Sequence, residues 1–173
     1  MLQIRKGVFE TNSSSTHSLV ICKENEELKL PGFVSFETND YGWEFDTLST
    51  TWEKASYLYS LAVCLDEGKT FIDKVWKWFC EDNIDCNFEI MYDIYDNWDG
   101  TGQIKFERAS VDHAWDAKDF YKYVMHTKKN LYRFLFSDKS FIKTGNDNVS
   151  SREEFEDFLK NLNYRYEYFF KEN

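Results

Sequence analysis

The chain has 173 residues, about one domain by the usual ~100–200 residues per domain. Its 42% hydrophobic content, with 16 Phe, 11 Tyr and 6 Trp, supplies a core and excludes wholesale disorder, while a single proline and seven glycines exclude collagen-like and proline-rich classes. Twenty-one Lys+Arg against 31 Asp+Glu leave a formal charge of −10, a field that repels nucleic-acid phosphates except where a local basic site overrules it.

Residues 2 to 9 alternate loosely and suit a short strand, and a polar segment from Glu10 to Ser18 then leads into the β-prone run Leu19-Val20-Ile21-Cys22. This predicts two strands joined by a Ser-rich loop over residues 10–18. Pro31-Gly32 signals a turn, after which Phe33-Val34-Ser35-Phe36 and Trp43-Glu44-Phe45 predict a small antiparallel sheet. Thr50-Thr51-Trp52-Glu53 reads as a capping box, because a hydroxyl at the N-cap and a carboxylate three residues on satisfy each other's backbone donors. Apolar residues from Trp52 to Leu65 follow at three- and four-residue steps and predict one helix; Thr70 to Cys80, with Phe71, Val75, Trp78 and Phe79 inward, predicts a second. Asn87 to Tyr95 alternates, and Asp99-Gly100 ahead of Gln103-Ile104-Lys105-Phe106 is a strong hairpin signal. Helices are expected at 118–125, at 128–136 and after Ser150-Ser151-Arg152-Glu153-Glu154, with a last strand over 164–170. The pattern is α+β: one domain over residues 1–173, with a mostly antiparallel sheet carrying the N-terminal strands and the hairpin, packed by helices.

No apolar stretch approaches the ~18–20 residues that cross a bilayer, so a soluble chain with no membrane partner is expected. Its start, Met-Leu-Gln-Ile-Arg-Lys, lacks the apolar block of a signal peptide and predicts a reducing cytoplasm. Cys22, Cys64, Cys80 and Cys86 include no C-x-x-C pair, which argues against zinc and against a disulfide framework. Cys64 and Cys80 sit in helical patterns where a thiol behaves as a small buried hydrophobe. No calcium-loop, phosphate-cradling or zinc-protease motif is present, so neither metal nor cofactor is expected.

Three polar constellations remain as candidate chemistry. Glu10-Thr11-Asn12-Ser13-Ser14-Ser15-Thr16-His17-Ser18 holds hydroxyls and amides that satisfy backbone groups locally and so fix a bend, with Arg5 and Lys6 just upstream. His17 near Glu10 has the ingredients of proton transfer, since imidazole titrates near neutrality; the plainer alternative is a solvated loop in which His17 caps a backbone group. Asp112-His113-Ala114-Trp115-Asp116 offers a second imidazole with orienting carboxylates, or else a surface His in an acidic turn. Thr144-Gly145-Asn146-Asp147-Asn148 is a third, either a ligand-binding turn or an N-cap lead-in. His126, on the apolar-patterned stretch 121–125, is expected to be structural.

Arg5 through Ser18, with the run Gly-Val-Phe-Glu-Thr-Asn-Ser-Ser-Ser-Thr-His-Ser at its centre, resembles the N-terminal signature of small proteins encoded by phages and prophages of Gram-positive bacteria. Asp112-His113 and residues 145–148 also look like recurring elements of that family. Within it, the size, acidity and opening motif are similar to those of anti-CRISPR proteins that block a type II RNA-guided nuclease by trimming its guide RNA. The resemblance implies a ribonuclease-like activity dependent on the N-terminal loop, guide RNA or the host nuclease as partner, and action in the host bacterial cytoplasm.

RNA cleavage without a metal needs a group to take the 2′-hydroxyl proton, another to protonate the leaving oxygen, and donors for the phosphorane oxygens. The residues present assign His17 and His113 to the base and acid roles, with Glu10 or Asp112 fixing a tautomer. Arg5, Asn12, Ser13, Ser14 and Ser15 become phosphate donors, with Asn146, Asp147 and Asn148 joining the same cleft. In a variant, Glu10 is the base. Two rivals are a non-enzymatic acidic protein that imitates nucleic acid, through residues 81 to 99, in a basic groove of a host protein, and a transferase or small-ligand site in the same loop.

Overall fold

The computed structural model describes residues 15–42, 46–96, 103–146 and 152–171. Its organising element is β1 (Ser15–Cys22), every residue of which is buried. Leu-Val-Ile-Cys favours extended backbone, and β1 lies inside a four-stranded antiparallel sheet ordered β10-β1-β9-β4, with β4 at Thr47–Leu48, β9 at Phe141–Asn146 and β10 at Tyr166–Lys171. The strand period of two divides its side chains between two cores. Leu19 and Ile21 join the main core; Val20 packs with Phe155 and Leu159 of α5 (Arg152–Lys160) on the other face.

The capping box forms as read: Thr50 Oγ1 accepts from the Glu53 N–H at 3.3 Å, and Glu53 Oε2 accepts from the Thr50 N–H at 2.9 Å. It starts α1 (Thr51–Cys64), which is buried from Lys54 to Ala62 and serves as the central helix. Asp66, in the left-handed region at φ 59°, turns the chain into the amphipathic α2 (Gly68–Glu81), which buries Phe71, Val75 and Phe79. The chain continues through α3 (Lys118–Val124) and α4 (Lys128–Phe136), the latter capped by Thr127. The whole is an α+β arrangement built mostly on an antiparallel sheet.

Several local expectations are corrected. Residues 15–18 are not loop but the first half of β1, and Thr144–Asn146 belong to β9 rather than to a turn. Polar side chains tolerate this interior setting because the flanking strands complete the backbone ladder and the side chains find buried partners, described below. β2 (Phe33–Glu37) pairs in parallel with β5 (Asp85–Glu89), not in a local antiparallel sheet. The α1–α2 hairpin between them acts as the crossover that returns the chain in the same direction. Phe36 and Phe88 stack at 4.9 Å across this pair, against Phe71 at 5.5 Å from Phe36. The predicted hairpin exists as β6 (Met91–Asp96) and β7 (Gln103–Arg108), but as a two-stranded ribbon apart from the four-stranded sheet; its turn lies outside the described residues. Residues 2–9 and Trp43-Glu44-Phe45 lie outside them too.

Cys80 is exposed on α2 and Cys64 half-buried, because both fall on the flank of the apolar stripe; all four cysteines are free. His126 follows the end of α3 and is exposed rather than structural. No helix among the described residues is long and apolar enough to cross a membrane.

Candidate functional site

The polar start of β1 is a locked interior. His17 is 0% exposed, and both ring nitrogens are engaged: Nδ1 lies 2.7 Å from Tyr57 Oη on α1, and Nε2 lies 2.9 Å from the Gly42 carbonyl oxygen. A carbonyl only accepts, so Nε2 carries the hydrogen and the Tyr57 O–H donates to Nδ1. Burial pushes the imidazole down to about 4, the Lys171 cation adds in the same direction, and the Gly42 carbonyl and Asp112 only partly oppose it. Burial likewise holds the Tyr57 phenol protonated, well above its ordinary range.

Across the ladder from His17 stands Lys171, the last residue of β10. It is 1% exposed; its Nζ donates to Ser15 Oγ at 2.5 Å and lies 3.4 Å from the Ser15 carbonyl oxygen. Burial lowers this amine to about 8, against the pull of Asp112 and Asp116. Ser15 pairs with Asn146 and Thr16 with Gly145, so the register alone brings the first and third polar constellations side by side.

The second constellation comes to the same corner. β3 (Asp40–Tyr41) pairs in parallel with β8 (Ser110–Val111), and the Asp112 N–H donates to the Tyr41 carbonyl oxygen at 2.8 Å, which carries Asp112 and His113 toward His17. His113 sits in the left-handed region at φ 49°, an uncommon backbone state for any residue but glycine, though one in which His is enriched. Its side chain is 47% exposed, with Nε2 3.4 Å from Asp112 Oδ1 and Nδ1 3.9 Å from Asp116 Oδ2. The 3₁₀ turn that follows, Ala114–Ala117, presents Trp115 at 61% exposure with the Lys118 ammonium 4.4 Å from its ring centre. Beside this turn a cleft of about 370 Å³ is walled by Asp116, Asp119, Phe120, Arg152, Tyr168 and Lys171, among others.

No family model, curated protein or solved structure matches the chain. Function is therefore read from this corner itself.

The two imidazoles share a neighbourhood, since the charges of Asp112 and His113 both bear on His17, but their surroundings differ in kind. His113 is accessible and flanked by carboxylates that can orient its ring; His17 has no free nitrogen with which to take a substrate proton. His17 accordingly drops out of the pair of imidazoles expected to transfer protons and becomes a pin joining β1 to α1 and to Gly42. Ser15, expected as a phosphate donor, is 0% exposed and bound to Lys171. Arg5, Glu10, Asn12, Ser13, Ser14, Asp147 and Asn148 lie outside the described residues, and Asn146 is placed by its backbone register.

Lys171, Trp115 and Arg152 were missed by sequence reasoning. A signal for Lys171 was present: in Tyr166-Glu167-Tyr168-Phe169-Phe170-Lys171 the period of two puts Lys171 on the face of Phe169, a position that faces the core. Arg152 read only as part of a cap, and Trp115 only as a neighbour of His113.

Proposed function

We propose that this protein cleaves single-stranded RNA at the His113 turn, that the guide RNA of a CRISPR nuclease is its substrate, and that it thereby disarms that nuclease in the cytoplasm of a bacterial host. The observation that carries the reading is the geometry of His113: an accessible imidazole, set by a left-handed backbone between Asp112 and Asp116, beside an exposed indole and a cleft holding Arg152. The resemblance of residues 5–18 supports the choice of substrate, and the described part of that segment, Ser15 to Ser18, lies in β1 at this corner.

In this scheme the His113 imidazole takes the proton of a ribose 2′-hydroxyl, and the freed oxygen attacks the adjacent phosphorus. The bond to the 5′-oxygen breaks, and that oxygen takes a proton from solvent. The products are a 2′,3′-cyclic phosphate and a 5′-hydroxyl. Trp115 supplies a stacking surface for an unpaired base, and Lys118 and Arg152 offset charge on the phosphorane.

The test is incubation of labelled guide RNA, free and bound to its nuclease, with wild type, His113→Ala and His17→Gln, with and without chelator. Cut RNA bearing a cyclic phosphate is expected, slowed on the order of 10²-fold or more by His113→Ala and retained, per folded molecule, by His17→Gln. Cutting that survives His113→Ala would shift the base to Glu10. Intact RNA in every lane alongside full inhibition of the nuclease would replace catalysis with occlusion by the acidic surface.

A further inference from the structure

At the other end of β10 from Lys171 lies a second cleft, of about 630 Å³, lined by Lys23, Asn25, Arg133, Arg165 and Tyr166. Three cations and no carboxylate line it, on a chain of formal charge −10. Their partners hold them loosely. Lys23 Nζ donates to Glu167 Oε2 at 2.8 Å, and Arg165 Nε stands 3.5 Å from Glu24 Oε1, which also accepts from the Arg165 N–H at 2.8 Å; both pairs are about a third exposed or more. Exposed pairs of this kind gain little over hydration, so an incoming phosphate competes with either carboxylate. Arg133 differs. Its Nη2 donates to the Glu24 carbonyl oxygen and to Asn25 Oδ1, each at 3.2 Å, so neutral groups orient the guanidinium while its charge stays unmatched by these contacts.

The cleft continues into an aromatic row. Tyr166 lies 6.3 Å from Tyr164 and 6.4 Å from Tyr168, ring centre to ring centre, and Tyr168 lines the cleft that also holds Lys171 and Arg152. From Tyr166 to Lys171 the strand covers about 17 Å at ~3.4 Å per residue, the length of roughly five stacked nucleotides. Cations beside aromatic rings along a track form the recognition pattern for an unpaired nucleic-acid strand, in which phosphates meet the charges and bases meet the rings.

We infer that Lys23, Arg133 and Arg165 form a phosphate-binding subsite that grips single-stranded RNA about five nucleotides from Lys171, at the cleft beside the His113 turn, with Tyr166 and Tyr168 along the path between. The inference rests on the RNA reading above and names where its substrate is held. A local basic cleft of this sort is what an otherwise acidic protein needs in order to hold RNA at one place and nowhere else.

The experiment uses the full chain and a fluorescent 12-nucleotide 2′-O-methyl RNA, which binds but lacks the 2′-hydroxyl needed for cutting, titrated at several salt concentrations. Arg133→Gln/Arg165→Gln should lower the log–log salt slope by about 1.4, at ~0.7 per lost phosphate contact, and weaken binding about 25-fold at 0.1 M salt. Arg165→Glu alone, at a largely exposed position, keeps the measurement valid if the double variant folds poorly. Arg108→Gln, which removes one positive charge from an exposed residue on β7 away from the cleft, should leave the slope unchanged. Slopes and affinities of the cleft variants equal to that control, or no measurable binding by wild type, would overturn the subsite. Cleavage is scored separately on 2′-hydroxyl RNA. Salt-sensitive binding through this cleft without cutting would sink the His113 reading and keep the subsite; cutting that ignores the cleft would do the reverse.

Discussion

The surroundings of His17 and those of His113 treat one kind of side chain in opposite ways. Around His17 the fold closes on the ring: a phenol on one nitrogen, a carbonyl on the other, a buried lysine across the ladder, and no exposure. Around His113 it leaves the ring half in solvent on a strained backbone and supplies two carboxylates at 3.4 and 3.9 Å. The first arrangement spends the hydrogen-bonding capacity of imidazole on rigidity. The second leaves it open to solvent, as the proposed proton transfer requires. Because a strained left-handed residue persists only where its surroundings over-determine it, the rigid interior and the poised turn read as one device, with the interior holding the corner that the turn uses.

The largest expected way to break this contrast in a stability measurement is acid. The folded pKa of His17 lies near 4 and its unfolded value near 6.5. As pH falls through 6.5 the unfolded chain takes a proton that the folded chain refuses, so stability drops until about pH 4, below which both states are protonated. At 1.36 kcal/mol per unit this amounts to about 3 kcal/mol. Urea unfolding of wild type and His17→Gln at pH 4 to 7 checks it: the variant should lose that part of the acid limb. Parallel curves would show that His17 is solvated after all. A smaller effect is expected for Tyr57→Phe, which strips the donor from His17 Nδ1 and leaves a buried acceptor unmet, costing ~1–3 kcal/mol while RNA cutting per folded molecule stays unchanged. A loss of cutting without a loss of stability would reverse the roles given to the two histidines.

What was legible in the sequence follows from range. The Thr50 cap, the helices α1 and α2, the apolar face of α2 and the hairpin strands are set by residues a few positions apart, and all appear in the structure, whereas the single apolar face read for α1 does not, because that helix is buried all round from Lys54 to Ala62. The parallel pairing of β2 with β5 was hidden because it depends on a crossover through two helices, which no local pattern encodes. Within the candidate site, Asp112, His113 and Asp116 were legible as neighbours in sequence. That His17 points inward was not, since Ser-Thr-His-Ser reads as loop chemistry until Lys171 and Tyr57 are known to await it from 154 and 40 residues away. Polarity in a sequence signals exposure only on average; a polar strand between two other strands is buried whenever distant partners satisfy its side chains.

The smallest effect is expected at Lys171, and it separates charge from packing in the locked corner. At pH 7 the lysine is protonated in a place that resists charge, so its two contacts with Ser15 are offset by lost hydration, and Lys171→Met should change stability by no more than ~1 kcal/mol. The pH dependence is more telling. The folded pKa of Lys171, and equally that of the buried Lys54, is lowered to about 8 from 10.5. Between pH 8 and 10 the unfolded chain therefore holds protons the folded chain has released, and wild-type stability rises with pH across that window. Above pH 10 the buried phenols of Tyr57 and Tyr121 and the half-buried phenol of Tyr41, held protonated by the fold, turn the trend downward. Lys171→Met should remove at least half of the rise, leaving the Lys54 share, because the two amines are lowered alike while the thiols of Cys64 and Cys86, held protonated by burial, oppose the rise above pH 9 in both chains. If the full rise persists in the variant, the Lys171 ammonium is hydrated through the adjoining cleft. The corner would then be open where His17 now has it closed.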